Sequence, residues 1–450
     1  MLCLSVAAVT GEVPASFYEC LQTPEKEEWR TAFTRHMEGK MANGTVTWVP
    51  CPPGATTIKT KLVPAVKYAL DNSIKERTMR WVGCGYSQRL GENYTSTFTA
   101  TPKATSIRIF GAMVMQLMLL PKKTDVPKAF TRAAIDTKMF VEQPESKHLP
   151  GLMCPKKDKN GRYYVGLLHK ALEGLKQAGN LFQSLNTDAL IKIGFTQLVT
   201  EPTLFILHLA AGLILILVWI DDFAIGVSSE QVFKWFVDEY RKLEGLDIKD
   251  EGPLTYFAGV EFYFSEGQLE IGQERGIERG VLRYFPQATG LPPSQIPGTV
   301  DQLRRRTSLD GCGLLKEGDD RSFLDKYPPY LNFMALVLYY TCYTRGDLMW
   351  ATIFLCRFMA DPNEECFISG IKLISCLYHT RKDRIRYTMT GWNIPTAIRE
   401  SGLAEHFLRN FGMYATPDAS WKLRQDTELN MTSVAGLFSC LEQGSIGVRV

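Results

Sequence analysis

The stretch from Leu213 to Asp222 constrains the fold more than any other. An unbroken apolar run, Leu213 through Ile220, leads straight into two adjacent carboxylates, Asp221 and Asp222. The run is rich in β-branched residues and follows the breaker Ala210, Ala211, Gly212, so it reads as a buried strand. Two like charges at the end of such a strand each raise the cost of ionising the other. A hard divalent cation removes that cost, and carboxylate oxygens are the ligands Mg²⁺ prefers. The bland alternative is the polar start of a turn, which the pair alone leaves open. Leu204 to Ile220 is also near the roughly 17-residue minimum for a membrane-spanning helix. His208, Gly212 and the abrupt aspartate pair favour two strands joined at residues 210–212, and no membrane partner is expected.

A third carboxylate, Asp125, stands in a second strand-like context. It follows the apolar residues Leu117 to Leu120 and leads into Val126, Pro127, Lys128, Ala129 and Phe130. Two strands laid side by side would bring Asp125 to Asp221 and Asp222. Three carboxylates can hold two Mg²⁺ ions about 3.5–4 Å apart, the clamp used for phosphoryl transfer. Taken alone, Asp125 reads better as a solvated turn residue.

At 450 residues the chain is too long for one ordinary core, and several subdomains are expected. The formal net charge of +3 does not by itself advertise nucleic-acid binding. A nucleic-acid track would have to come from local clusters: Lys59, Lys61 and Lys67; Lys75, Arg77 and Arg80; Lys156, Lys157 and Lys159; Arg304, Arg305 and Arg306. For any one cluster an ordinary solvated surface is the more common case. The eleven cysteines are scattered without a Cys-x-x-Cys pair, which argues against a disulfide framework or a zinc ribbon. Cys342, Cys356 and Cys376 sit among apolar residues and read as buried, reduced thiols, pointing to a cytoplasmic or nuclear compartment. The first ten residues lack a positive leader and a convincing cleavage site and read as a ragged fragment end. His208, within an apolar strand, reads as a core or edge histidine.

The order of short segments over residues 28–450 resembles the reverse transcriptase region of a copia-type retrotransposon polyprotein. The matching pieces begin with Glu28-Trp29-Arg30-Thr31-Ala32, Asn43 to Trp48, and Pro52-Pro53-Gly54. They continue through Asp71 to Ile74, Gly85-Tyr86-Ser87-Gln88, Tyr94 to Phe98, Thr105 to Arg108, and Asp125-Val126 with Ala129-Phe130. Val141 to Pro144, Gly174-Leu175-Lys176-Gln177-Ala178, and Trp219-Ile220-Asp221-Asp222 complete the series, the last where the family usually has Tyr-Val-Asp-Asp. Each piece is short; their order and spacing carry the resemblance.

The resemblance implies an α+β, right-hand polymerase fold of fingers, palm and thumb, followed by a partial ribonuclease H-like region. It implies DNA synthesis on an RNA or DNA template with primer, from deoxynucleoside triphosphates, with two Mg²⁺ ions or Mn²⁺ in their place. Asp125, Asp221 and Asp222 take the metal-binding role. Arg80, Phe130, Glu173, Gly174, Lys176 and Gln177 fall in stretches that face the nucleotide, with Phe130 placed as the sugar gate or, equally, as a core ring. The expected division is an irregular segment at 1–27, fingers and palm at 28–265, thumb and linker at 266–326, and a connection with truncated ribonuclease H-like region at 327–450. In that last part Asp418 would be the first metal carboxylate. The segment with the next acidic ligand is missing, so no ribonuclease H activity is expected.

Several residues depart from the family pattern. Thr78 replaces a lysine before Arg80, Glu173 replaces an aromatic, Ala178-Gly179-Asn180 lacks the usual Pro-Arg, and Thr131-Arg132-Ala133 replaces Leu-x-Gly. These losses of positive charge and aromatic surface give a second reading, a relic that keeps the fold without activity.

The pattern predicts helices near 27–41, 105–121, 177–193, 230–243, 272–290 and 371–379. It predicts strands near 57–68, 78–86, 162–168 and 256–262, a strand entering Asp125, and a hairpin over 203–227. Gly259 is read as letting the backbone approach the primer, and Tyr387 as the start of a tail.

Overall fold

The structure, a computed structural model, describes residues 13–68, 74–144, 157–294, 329–360 and 362–388. Lys156, Arg304 to Arg306, Asp418 and most of the expected linker lie outside those residues. In chain order the elements are α1 (Phe17–Cys20), α2 (Lys26–Ala42), β1 (Val46–Pro50), β2 (Thr57–Ile58), β3 (Thr60–Tyr68), β4 (Ile74–Gly83), α3 (Ala104–Gln116), β5 (Leu120–Asp125), β6 (Phe140–Val141) and β7 (Tyr164–Leu168). They continue with α4 (Ala178–Ile193), β8 (Thr196–Gln197), β9 (Leu204–Leu209), β10 (Gly212–Trp219), β11 (Asp222–Val227), α5 (Glu230–Lys242), β12 (Lys249–Pro253), β13 (Tyr256–Phe257), β14 (Val260–Ser265), β15 (Gln268–Gly272) and α6 (Glu274–Tyr284). Last come α7 (Tyr330–Tyr343), α8 (Met349–Cys356), α9 (Glu364–His379) and β16 (Ile385–Thr388).

These elements gather into two compact units that interleave along the chain. One takes residues up to Thr101, Asp125–Thr196 and Phe236–Lys249; the other takes Pro102–Thr124, Gln197–Trp235 and residues from Asp250 on. In the first unit a sheet of order β1-β7-β6-β2 and the hairpin β3-β4 share a core with α2. Trp29, Phe33 and Met37 recur at helical spacing along α2 and are buried with Trp81 of β4. Glu27 and Glu28 in the first turn of α2 favour the positive end of its dipole. α4 stops at Gly194, whose φ of 116° lets its amide and that of Phe195 turn back onto the last carbonyls of the helix.

In the second unit the six-stranded sheet has the order β12-β5-β11-β10-β9-β8. β9, β10 and β11 form an antiparallel meander. Leu215 and Leu217 of β10 pack in one core with Ile107, Phe110 and Val114 of α3. Ile214 and Ile216, pointing the other way, are buried too, so the strand reads as a continuous apolar run. A second sheet, β13-β14-β15-β16, contributes Phe262, Leu269, Ile271 and Tyr387 to the same core. Helices α6, α7, α8 and α9 build a further core around Phe333, Val337, Leu355 and Leu377. β1–β7, β6–β7, β3–β4 and the pairs within β13–β16 are antiparallel, and β2 runs parallel to β6. The mixture of helices and sheets fits the α+β expectation.

The hairpin expected over 203–227 is present as β9, β10 and β11, and among the described residues no helix is long and apolar enough to cross a membrane. Several other expectations are corrected. The helix expected to reach 121 ends at Gln116, where Met118, at φ 52°, turns the chain into β5. The single strand expected at 256–262 is a hairpin, because Ala258 and Gly259 both take positive φ in a two-residue turn. A Cβ at Gly259 would collide with the Tyr339 hydroxyl of α7, so this glycine makes room for a packed tyrosine. Tyr387 lies inside β16, opposite Leu269, and His208 is exposed. Cys376 is buried, but Cys342 and Cys356 are only partly so.

Candidate active site

The aspartate pair sits in the hairpin between β10 and β11. Trp219 faces Asp222 across the ladder, leaving Ile220 and Asp221 as a two-residue turn. Ile220 takes φ 57°, a left-handed conformation that costs a non-glycine residue roughly 1–2 kcal/mol. The buried ladder on both sides imposes it. Asp222 opens β11, whose hydrogen-bonded neighbour is β5.

Lys123 of β5 reaches Asp222. Its Nζ lies 3.2 Å from Asp222 Oδ1 and 3.1 Å from Glu251 Oε2 on β12. One ammonium therefore joins the strands on both sides of β5. Burial works against the charge, but Asp222 and Glu251 outweigh it and hold Lys123 above the ordinary lysine pKa. Lys122, pointing to the opposite face, pairs with Glu230 at 2.7 Å and lies over the Phe233 ring.

Asp125 is the last residue of β5 and groups with the first unit. The donor chemistry at the hairpin fits a hard divalent cation, since Asp221 and Asp222 offer carboxylate oxygens. Among the described residues no group of three or more His, Cys, Asp or Glu side chains is gathered around a common ion position.

The other residues singled out from sequence lie in the first unit. Glu173 pairs with Lys40 of α2 at 2.5 Å, and the lysine is buried. Burial pulls the Lys40 ammonium below the lysine range, Glu173 opposes that, and Lys128 and Arg80 add to the depression. His36, one turn earlier in α2, accepts a hydrogen bond from the Trp81 amide. Its burial, with Lys40 nearby, pushes its pKa down to about 4. Gly174 at φ 85° lies so close to the Gly83 carbonyl that no side chain fits, and the Glu173 carbonyl accepts the Gly83 amide at 2.7 Å.

Gln177 is fully buried. Its amide oxygen accepts from Gln88, and its amide nitrogen donates to the Asn93 carbonyl, each at 2.8 Å. It anchors the loop from inside, where sequence reasoning had it facing the nucleotide. Lys176 lies over the Tyr94 ring and donates to its hydroxyl at 3.2 Å. Arg80 is exposed on β4. Phe130 is partly buried and packs against the core of the first unit. Arg77, a candidate for the nucleic-acid track, is instead held by Glu28 and Glu25 over the Trp29 ring. Two departures from the family pattern have local work: Thr78 donates to the Ala65 carbonyl, and Arg132 donates to the carbonyls of Pro127 and Gly245.

Residues 43–297 match the family model described as reverse transcriptase (RNA-dependent DNA polymerase). The chain belongs to the reverse transcriptase family. It is 28% identical over 351 residues to the retrovirus-related Pol polyprotein from transposon RE1 of Arabidopsis thaliana, a match covering 77% of this chain and 22% of that protein. It is 26% identical over 356 residues to the corresponding polyprotein from transposon TNT 1-94 of Nicotiana tabacum, covering 78% and 25%. These polyproteins bear out the copia-type resemblance, and the chain spans about a quarter of their length or less.

Sequence reasoning missed two residues that the fold makes important. Lys123 stands two positions before Asp125, hence on the same face of β5, and that spacing was the one available signal. Lys40 is separated from Glu173 by 133 positions, and nothing local announces the pairing.

Proposed function

We propose that the chain is the RNA-directed DNA polymerase part of a copia-type Pol polyprotein, with a right-hand arrangement of fingers, palm and thumb. Asp125, Asp221 and Asp222 hold its divalent cations. The observation that carries this reading is the left-handed Ile220, which sets Asp221 and Asp222 at the end of a buried strand. Backbone strain at a charged turn is retained where the surrounding structure enforces it and the site makes use of it. Asp125, Asp221 and Asp222 would hold Mg²⁺, whose charge would activate a primer 3′-hydroxyl and neutralise the leaving pyrophosphate. Arg80 and Lys176 offer positive charge to the triphosphate of an incoming deoxynucleotide, and Lys176 is pre-oriented by Tyr94. Gly174 and Gln177 shape the loop that presents Lys176.

Primer extension on a homopolymer RNA template with Mg²⁺ tests the proposal. Asp221→Asn is expected to abolish extension with an unchanged melting temperature. Extension retained by that variant would remove the metal role. The second reading, a relic with the fold but no activity, is favoured by the hold of Lys123 on Asp222. No extension by the unaltered chain at any Mg²⁺ or Mn²⁺ concentration would select it.

A further inference from the structure

We propose that Lys123 is a built-in competitor of the divalent cation at Asp222, and that Glu251 is the anion that receives its ammonium when the cation binds. The inference rests on the metal reading of Asp222 and goes beyond it, by naming what occupies that carboxylate first and where the occupant goes.

The geometry has three parts. The Lys123 ammonium stands almost equidistant from two carboxylates, 3.2 Å from Asp222 and 3.1 Å from Glu251. An ammonium has three donors on a flexible stem, so it can serve both oxygens at once or either alone. The two acids lie on the strands flanking β5, β11 on one side and β12 on the other. Shifting the ammonium from a shared position toward Glu251 is a side-chain movement that leaves the sheet intact. The neighbouring Lys122 takes no part, being engaged by Glu230 and the Phe233 ring on the other face.

Charge decides the direction of the effect. A divalent cation at Asp222 would sit beside a monovalent one, and like charges at that separation repel. The ammonium has to leave Asp222, and the cost of its leaving is subtracted from cation affinity. Glu251 lowers that cost by keeping the ammonium paired. The side chains are partly exposed, 19% for Lys123 and 38% and 31% for its partners, so solvent screening keeps the effect moderate.

Mn²⁺ alone is the probe, added to the full chain, with free Mn²⁺ read from its electron paramagnetic resonance signal. Lys123→Met is expected to tighten Mn²⁺ binding roughly three- to tenfold. Glu251→Gln is expected to weaken it by about two- to threefold, because Lys123 then has only Asp222 to hold. In the double variant the Glu251→Gln penalty should vanish, leaving the affinity of Lys123→Met. Lys123→Gln takes the place of Lys123→Met if the latter does not fold. If Asp222→Asn weakens Mn²⁺ binding but loss of Lys123 leaves it unchanged, the competitor role is overturned while the metal reading stands. If the Glu251→Gln penalty persists without Lys123, Glu251 acts through its own charge and the receiving role is overturned. If Asp222→Asn has no effect with or without Lys123, the metal reading fails and this inference with it.

Discussion

Each unit of the molecule contains a lysine held by carboxylates, and the two arrangements differ in how much water reaches them. In the first unit Lys40 is 5% exposed and Glu173 23%. In the second, Lys123 is 19% exposed and Asp222 38%. Taking both members of a pair out of water is costly, and removing one partner strands the other's charge. Where water still reaches the pair, the same deletion costs little, because solvent replaces the lost partner. The Lys40–Glu173 pair is therefore a folding device that ties α2 to the loop before Gly174. The Lys123–Asp222 pair is an exchangeable contact.

The largest expected effect follows from the buried pair. Glu173→Gln should destabilise the chain by about 3–5 kcal/mol in urea unfolding, because Lys40 is left without its counter-charge. Replacing both, as Lys40→Met with Glu173→Leu, should recover most of the loss. This also changes what Glu173 means for a nucleotide. The sequence alone suggested a bare negative charge facing a polyphosphate; the charge is compensated by Lys40. Restoring the family's aromatic with Glu173→Tyr should destabilise unless Lys40 is replaced as well. A loss below about 1 kcal/mol for Glu173→Gln would place the pair with the exchangeable one.

A smaller effect tests the same burial through pH. Burial, with Lys40 nearby, holds His36 near 4 rather than 6.5. Between those values the unfolded chain binds the proton and the folded chain does not, so stability is full above pH 6.5 and is lost as pH falls toward 4. The loss should reach roughly 1–3 kcal/mol. His36→Gln, which can still accept the Trp81 amide, should flatten the dependence in that window. A variant that unfolds with the same pH profile as the parent would show that His36 does not sense the buried cluster.

Much of this was legible in sequence and the rest was not, for physical reasons. α2, α4 and α5 announce themselves by apolar residues at helical spacing, and the β9–β10 turn by Ala210, Ala211 and Gly212. The aspartate pair stands out because charge interrupts a long apolar run. What could not be read is what depends on partners distant in sequence. Lys123 finds Asp222 and Glu251 only because the sheet order is β12-β5-β11. Gln177 looked like a ligand-facing polar residue, yet its partners, Gln88 and Asn93, lie 89 and 84 positions away. The hairpin at Ala258 was hidden because alanine rarely takes positive φ. Tyr387 looked like a tail residue because the strand it joins, β15, lies more than a hundred positions upstream.

The smallest effect is the sharpest test of the comparison. Lys123→Met removes an ammonium with two carboxylate partners, more contacts than Lys40 makes with Glu173 alone. If the number of ion pairs set stability, Lys123→Met would be the more damaging change. Solvent exposure gives the opposite order. Asp222 and Glu251 regain water when the ammonium goes, so unfolding stability should change by less than about 1 kcal/mol. The apolar stem of methionine should also retain much of the lysine's packing beside β5. Parallel urea titrations of Lys123→Met and Glu173→Gln decide between the two orders. A loss of several kcal/mol for Lys123→Met would make it a second folding device. Its ammonium would then be too firmly held to yield to a cation, and the distinction between the buried and the exchangeable pair would collapse.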